Sequence, residues 1–142
     1  MTAPANRGKV AEKLVKRQLE KLSLQSNTAS YRLPDAHAGS FQATLADFLL
    51  VHKGVMYLLE VKETQHDYRL PVANYSPDQV ARMRRFQLAG AEAHVLIYHA
   101  NLSKWRTAPV DYFLTREGGS WDLRNLPLQE LENILKENLN DT

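Results

Sequence analysis

A chain of 142 residues, 44% hydrophobic and 24% charged, has the composition of a globular protein and is long enough to bury a core without disulfide or metal staples. No apolar run is long enough to cross a membrane or to form the core of a signal peptide, and the absence of cysteine fits a reducing compartment. The net charge of +2 does not by itself indicate a nucleic-acid partner. We therefore expect one cytoplasmic domain, residues 1–142.

The first predicted element is an amphipathic helix over residues 7–22, preceded by a small and polar segment, residues 1–6, that we expect to be disordered. Apolar residues recur at helical spacing in the helix: Val10, Leu14, Val15, Leu19 and Leu22. Glu12 lies beside this apolar stripe, where an i, i+4 ion pair with Lys16 would account for it.

Basic residues crowd two predicted helices, and clustered Lys and Arg on defined elements are typical of contact with phosphate groups. The clusters are Lys9, Lys13, Lys16, Arg17 and Lys21 in the first helix, and Arg82, Arg84 and Arg85 in a later one. The alternative is an ordinary solvated basic face, which is common on any helix.

Residues 23–40 are rich in Ser, Asn, Thr, Pro and Gly and are predicted to form a loop or irregular connection. Tyr31, Arg32, Asp35 and His37 stand out in it as candidates for substrate contact, because binding residues are found disproportionately on loops. Arg32 in particular is a candidate for holding a phosphate.

The run DFLLVHKGVMYLLEVK, residues 47–62, closes a stretch predicted as a β-hairpin with arms over residues 41–51 and 55–62. Lys53 and Gly54 supply a two-residue turn, since glycine reaches positive φ without steric cost. If His52 pairs with Val55, the register places Asp47 on one arm opposite Glu60 on the other.

Two carboxylates and an ammonium therefore converge on one face of the predicted hairpin. Opposed side chains have Cβ atoms roughly 5 Å apart, and strand alternation puts Lys62 on the same face as Glu60. Because opposed like charges destabilise a sheet, Asp47 and Glu60 predict a divalent cation between them, bound through hard oxygen ligands. Lys62 would then act on a water or on developing negative charge. The alternative is an exposed strand pair with solvated charges, but the apolar arms argue against it.

Residues 63–75 are polar, with a predicted loop around His66 and a Thr64 hydroxyl that is a candidate for a bond to a metal ligand or a phosphate. His66 belongs to no zinc constellation, because the histidines are scattered and cysteine is absent.

A helix is predicted over residues 76–89, with Ser at the N-cap, Pro at the first helical position and Gly90 as its stop. Gln79, at the third position, completes a capping box, which accounts for it without any catalytic role. Val80 and Met83, with Gln87 or Phe86, are expected to face a sheet, and Arg82 and Arg85 to face outward.

The remaining chain predicts a strand buried on both faces over residues 93–100 and an edge strand or extended segment over residues 105–114, interrupted by Pro109. A final amphipathic helix follows, with its apolar stripe at Leu128, Leu131, Leu135 and Leu139. This order of elements predicts an α/β protein with a mixed central sheet flanked by helices on both faces.

Asp47 followed by Glu60-Val61-Lys62 resembles the signature of the PD-(D/E)XK nuclease superfamily, in which an Asp and an (Asp/Glu)-X-Lys on neighbouring strands bind the catalytic metal. Extended to Glu63-Thr64, the run is similar to the E-x-K-x-T of RecU-type Holliday junction resolvases. Ala46 stands where the superfamily's namesake Pro would precede the Asp.

The resemblance implies a restriction-endonuclease-like core in a metal-dependent DNA endonuclease that acts on branched DNA and uses Mg²⁺ or Mn²⁺. It implies metal ligation by Asp47, Glu60 and the backbone carbonyl of Val61, with Lys62 as a further catalytic residue. The superfamily also places a Glu on a preceding helix and a polar residue, often Gln, on a following one; the matching residues are Glu12 and Gln79. The DNA contacts we expect are Lys9, Lys13, Arg17, Arg32, Thr64, Arg82 and Arg85.

A homodimer is also implied, because a four-way junction offers two symmetry-related strands to cut. The late strands carry aromatic residues, which are enriched at interface centres but which core packing explains equally well: Tyr98, Trp105, Tyr112 and Phe113. The alternatives that remain are a nuclease of the same superfamily that cuts flaps, nicks or duplex ends, and a DNA- or protein-binding member of the fold that does not cleave.

Overall fold

A computed structural model describes residues 9–34, 45–115 and 118–139. The helices are α1 (Lys9–Leu22), α2 (Pro77–Leu88) and α3 (Leu131–Asn138). The strands are β1 (Thr28–Arg32), β2 (Phe48–His52), β3 (Val55–Thr64), β4 (Arg69–Pro71), β5 (Glu92–His99), β6 (Lys104–Pro109) and β7 (Ser120–Asp122). Short 3-10 helices occupy Val72–Asn74 and Val110–Phe113. The predictions for residues 1–8, for residues 35–44 with Asp35 and His37, and for residues 116–117 lie outside the described residues.

Within the described residues, the central sheet has five strands in the order β1-β2-β3-β5-β6, and β4 pairs with β7 in a small second sheet. β3 and β5 run parallel, whereas the other neighbours in the central sheet are antiparallel. The mixed sheet that the element order predicts is therefore confirmed. Pro109 ends the edge strand β6, as expected, but the chain then turns into a 3-10 helix instead of staying extended to residue 114.

The predicted hairpin forms with the predicted register. Lys53 and Gly54 both have positive φ, 51° and 80°, which is the geometry that a tight two-residue hairpin turn needs. His52 pairs with Val55, and the ladder runs on to the pair of Phe48 with Leu59. The expected pairing of Asp47 with Glu60 does not extend this ladder, because the Asp47 N–H donates to the Leu59 carbonyl oxygen at 3.1 Å.

Residues 28–32, which the sequence predicts as loop, form the edge strand β1 along β2. That prediction was wrong because an edge strand needs little apolar alternation: Ala29 and Tyr31 are exposed, and the backbone ladder with β2 supplies the stabilising contacts. The small sheet of β4 and β7 was also missed, since each of its strands has only three residues.

Helices cover both faces of the central sheet, as predicted. One face packs against α1 and α3, through Ala11, Val15, Leu19, Ile134, Leu135 and Leu139. The other packs against α2 and the 3-10 helix after β6, through Val80, Met83, Val110 and Phe113. Phe86 stays 40% exposed. None of the described helices is long and apolar enough to cross a membrane.

Helix α2 begins and ends where its capping residues predict. The Ser76 Oγ accepts a hydrogen bond from the Asp78 N–H at 3.2 Å, Pro77 is the first helical residue, and Gly90 follows the helix with φ 116°. Because the cap fixes where the helix starts, Tyr75 before Ser76 and Gln79 after it are each held in one orientation toward the sheet.

Replacing Ser76 should therefore weaken the whole domain. In Ser76→Ala the acceptor for the Asp78 N–H is lost, and we expect the free energy of unfolding to fall by about 1 kcal/mol, measured by urea denaturation. Ser76→Asp keeps an acceptor at the same place and serves as the control. Equal stability of Ser76→Ala and the wild type would contradict the role of the cap.

Candidate active site

Glu60 and Lys62 lie on the face of β3 that looks toward α2. Their neighbours Leu59 and Val61 pack into the core against α1 and α3, and alternation along a strand sends the intervening side chains to the other face. Asp47, directly before β2, reaches the same place. Asp47 and Glu60 are 8% and 3% exposed, so the two carboxyl groups that the sequence predicts to converge do so in a buried position.

Asp47 is held by a backbone donor and a neighbouring guanidinium. Its Oδ2 accepts a hydrogen bond from the Val61 N–H at 2.7 Å, and its Oδ1 lies 3.8 Å from Nη2 of Arg32. Burial and then the charge of Glu60 raise the pKa of Asp47 to about 7, against the opposing effects of the Val61 N–H, Arg32 and Lys62. Near neutral pH, this carboxyl group is therefore present in both its neutral and its charged form.

Glu60 has one paired oxygen and one unpaired oxygen. Its Oε2 lies 3.0 Å from Nζ of Lys62, whereas its Oε1 is buried without a hydrogen-bond partner in the described part of the chain. Burial raises the pKa of Glu60, and the neighbouring side chains of Lys62, Asp47 and Gln79 oppose this effect. An unsatisfied buried acceptor destabilises the folded protein by about 1–3 kcal/mol, and by more when the group is charged. A ligand bound at Oε1 would remove this penalty.

These oxygens fit a hard divalent cation. Two neighbouring carboxyl groups whose pKa values are raised mainly by burial, one with an oxygen that has no partner among the described residues, are stabilised when a cation lies between them. Across residues 9–34, 45–115 and 118–139, no cluster of three or more His, Cys, Asp or Glu side chains is arranged to hold a metal. The remaining ligands would thus be a backbone carbonyl and water, which suits Mg²⁺ and Mn²⁺ better than zinc.

Lys62 is enclosed on two sides. Besides its ion pair with Glu60, its Nζ lies 4.6 Å from the centre of the Tyr75 ring. Tyr75 is 1% exposed and donates its hydroxyl to Sδ of Met83 at 3.0 Å. Sequence reasoning missed Tyr75, because its only signal is its position next to the helix cap, and that position says nothing about an ammonium on another strand.

Gln79 and Glu12 approach the site from different helices. Gln79 is buried, and its side chain lies against the Glu60 carboxyl and lowers the pKa of that group, so Gln79 points into the site. Glu12 reaches the site indirectly: its Oε2 lies 3.0 Å from Nη2 of Arg32, the guanidinium that neighbours Asp47. The expected pairing of Glu12 with Lys16 is replaced by this contact across the sheet edge.

Arg32 and Thr64, two of the expected DNA contacts, are engaged inside the protein. Arg32 ends β1, donates to the backbone carbonyls of Leu33 and Asp47, and lies over the ring of Phe48. The buried Thr64 hydroxyl donates to the Arg69 carbonyl at 2.9 Å and accepts from the His66 N–H at 3.2 Å. This geometry favours a structural role for both residues over contact with DNA.

The other expected DNA contacts are exposed, and all of them except Arg17 line one of two concavities that are also lined by chain neighbours of Asp47. A concavity of about 240 Å³ beside α1 is lined by Lys9, Glu12, Lys13, Lys16, Arg32 and Phe48. One of about 580 Å³ beside α2 is lined by Leu45, Ala81, Arg82, Arg85 and Phe86. Since Leu45 and Phe48 flank Asp47 in the chain, both basic surfaces approach the carboxylates, one from each face. Arg17 lies further along α1 and lines a third concavity.

Comparisons with known proteins agree on one fold. The family model described as RecU, recombination protein U, matches residues 7–138. The Holliday junction resolvase Hjc of the archaeal hyperthermophile Archaeoglobus fulgidus superposes with a TM-score of 0.58 at 23% identity, covering 84% of this chain and 95% of its own. A bacterial homing endonuclease superposes with a TM-score of 0.57 at 12% identity, covering 99% and 98%. A comparison with curated proteins finds no significant match. The restriction-endonuclease-like fold is thereby confirmed.

The pKa of Asp47 predicts how stability depends on pH without metal. The folded protein binds a proton at Asp47 up to about pH 7, whereas the unfolded chain releases it near pH 3.8. The contribution of Asp47 to the free energy of unfolding is therefore fully present below pH 3.8 and is lost as the pH rises through about 7. We expect the free energy of unfolding, measured in urea with a chelator present, to decline over this range.

Asp47→Asn is the matched control, because it keeps an acceptor for the Val61 N–H but does not titrate. Its free energy of unfolding should change less with pH than that of the wild type. Identical pH profiles for the two proteins would contradict the assignment of the raised pKa to Asp47.

Proposed function

This chain belongs to the RecU family of recombination proteins, and from that premise we propose that it is a Holliday junction resolvase-like endonuclease, which hydrolyses phosphodiester bonds in branched DNA with the help of a divalent cation. The observation that carries the proposal is the buried pair of Asp47 and Glu60 with the Lys62 ammonium 3.0 Å from Glu60. Hjc, the archaeal protein with the same fold, is a Holliday junction resolvase.

Asp47, Glu60 and the backbone carbonyl of Val61 are the residues that would hold Mg²⁺ or Mn²⁺. The unpaired Oε1 of Glu60 supports this assignment, since the protein offers it no donor among the described residues. When bound, such a cation polarises the phosphate and lowers the pKa of a water.

Lys62 supplies a positive charge beside the reacting phosphate. In hydrolysis a water oxygen bonds to phosphorus, the bond to one ester oxygen breaks, and the proton lost by the water is balanced by one gained by the leaving oxygen. The Lys62 ammonium can orient the water and stabilise the negative charge that develops on the phosphate. Gln79 steadies Glu60, and Glu12 holds Arg32 against Asp47.

Binding of the DNA backbone falls to the exposed cations on either side of this site. Lys9, Lys13 and Arg17 on α1, with Arg82 and Arg85 on α2, are free of the desolvation that burial imposes on Lys62. Such contacts release counterions and bind DNA of any sequence.

Removal of Lys62 should separate cutting from binding. We expect Lys62→Ala to lose most hydrolysis of a four-way junction in Mg²⁺ while its dissociation constant for the same DNA, measured by fluorescence anisotropy, stays close to that of the wild type. Asp47→Ala should lose cleavage as well. Lys136→Ala, which removes an exposed charge on α3, is the control for net charge.

Two results would contradict these assignments. Cleavage by Asp47→Ala at the wild-type rate would remove the metal site. Equal loss of binding and cleavage in Lys62→Ala would make Lys62 a binding residue. A panel of four-way, flap, nicked and linear DNAs in the same assay identifies the substrate, and cleavage confined to flaps or nicks would replace junction resolution.

A homodimer is the form in which one small active site can serve a symmetric junction. Two copies related by a two-fold axis would present identical sites to the two symmetry-related strands. The late-strand aromatics do not support an interface, because Trp105 and Phe113 are buried and Tyr98 packs on Trp105 with ring centres 4.8 Å apart.

Sedimentation of the free protein tests the dimer. We expect the mass of two chains at concentrations at which a four-way junction is cut, with paired incisions in opposite strands. A strict monomer that leaves four-way junctions intact would reject the dimer and the resolvase activity together, while cleavage of other DNAs would leave the metal site in place.

A further inference from the structure

Tyr75 is held in place through its hydroxyl, its ring and its backbone. Its hydroxyl is bound to Met83 on α2, and its ring packs against those of Phe113 and Trp121, with centres 5.7 and 6.3 Å away. The chain fixes its backbone as well, since Tyr75 precedes the N-cap of α2. The ring therefore presents one fixed face to its remaining neighbour.

That neighbour is the Lys62 ammonium, 4.6 Å from the ring centre. A lysine ends four rotatable bonds from its backbone, and without a partner its ammonium samples many positions. An ion pair with Glu60 at 3.0 Å restricts one direction. The Tyr75 face restricts a second, because the negative face of an aromatic ring attracts a cation.

Unlike a carboxylate, the Tyr75 ring leaves the N–H donors of Lys62 available for other hydrogen bonds. It attracts the ammonium without accepting a strong, directional hydrogen bond, so the three N–H donors of Lys62 are not consumed by the contact. The side chain of Lys62 is also 15% exposed, which leaves one side open to a substrate. A cation held this way is fixed in place and can still donate to a water or a phosphate oxygen.

We propose that Tyr75 is a positioning residue that fixes the Lys62 ammonium for phosphodiester hydrolysis. The inference rests on the proposed function, in which Lys62 acts at the reacting phosphate. The hydroxyl of Tyr75 plays no part in the positioning, because it points to Met83; burial and the charges of Glu60 and Asp47 raise its pKa, so it remains a neutral donor there.

Graded weakening of the ring face tests the proposal without changing the shape of the core. Tyr75→Phe should keep the wild-type kcat for junction cleavage. Phenylalanines that carry an increasing number of ring fluorines, introduced at the same position, should lower kcat stepwise, by roughly three- to thirtyfold in all. KM and the Mn²⁺ affinity should change by less than about twofold, because neither depends on the ring.

A double-mutant cycle distinguishes positioning from packing. In a Lys62→Met background the fluorinated series should leave the residual rate unchanged, because the ring then has no cation to hold. Phe113→Leu disturbs the same aromatic cluster without touching Lys62 and should not reproduce the stepwise loss. An equal loss of kcat in both backgrounds would overturn the role of Tyr75. The same holds if the fluorinated series shows no loss while Lys62→Ala has lost most of its activity. Either result would leave the proposed function of Lys62 in place.

A structural readout is independent of catalysis. The ring face should shift the proton resonances of the Lys62 side-chain end upfield in the metal-free protein, and Tyr75→Leu should remove that shift. Absence of the shift in the wild type would overturn the contact itself. If Lys62→Ala cleaves as fast as the wild type, the proposed function of Lys62 fails first, and the inference on Tyr75 fails with it.

Discussion

Asp47 and Glu60 share a buried position, where burial disfavours the charged form of both and the charge of Glu60 further disfavours that of Asp47. Three neighbouring groups stabilise the charged forms of these carboxyl groups. They are the Val61 N–H from β3, Arg32 from β1 and Lys62 from β3. These groups compensate only in part, since the pKa of Asp47 still rises to about 7 and one oxygen of Glu60 has no hydrogen-bond partner among the residues that the structure describes. A site with this residual deficit of positive charge favours a cation.

The start of α2 connects this electrostatic problem to the fold. Ser76 caps the helix, Tyr75 before the cap contacts Lys62, and Gln79 three residues after the cap acts on Glu60. The backbone conformation at Ser76 therefore orients both Tyr75 toward Lys62 and Gln79 toward Glu60. Capping and site geometry are the same constraint here, which is why Gln79 satisfies a capping pattern in the sequence and yet points toward Glu60.

The sequence predicts those features that depend on residues close together in the chain, and it fails for those that depend on contacts between distant residues. The hairpin register depends on a two-residue turn and on strand alternation, and because both are local, the convergence of Asp47, Glu60 and Lys62 is predictable from the residues alone. Strand β1 escaped prediction because its stability comes from pairing with β2, and its sequence is polar and exposed. With β1 taken for a loop, the sequence gives no sign that Arg32 contacts Glu12 and Asp47. Contacts such as Tyr75 with Lys62 join distant positions, and no spacing encodes them.

The charges of this protein divide into two groups with different physics. Cations on the outer faces of α1 and α2 are exposed and hydrated, so the interaction of each with another charge is modest and is weakened by salt. The ammonium of Lys62 has lost most of its water, and its position is worth more because the low dielectric around it strengthens every interaction. Under the proposed function, the exposed cations can therefore change in number without altering the chemistry, whereas the largely enclosed ammonium of Lys62 tolerates little displacement. Chain neighbours of Asp47 line a concavity on each basic surface, Phe48 beside α1 and Leu45 beside α2, so the proposed function has a DNA backbone held by the exposed cations near the carboxylates and Lys62.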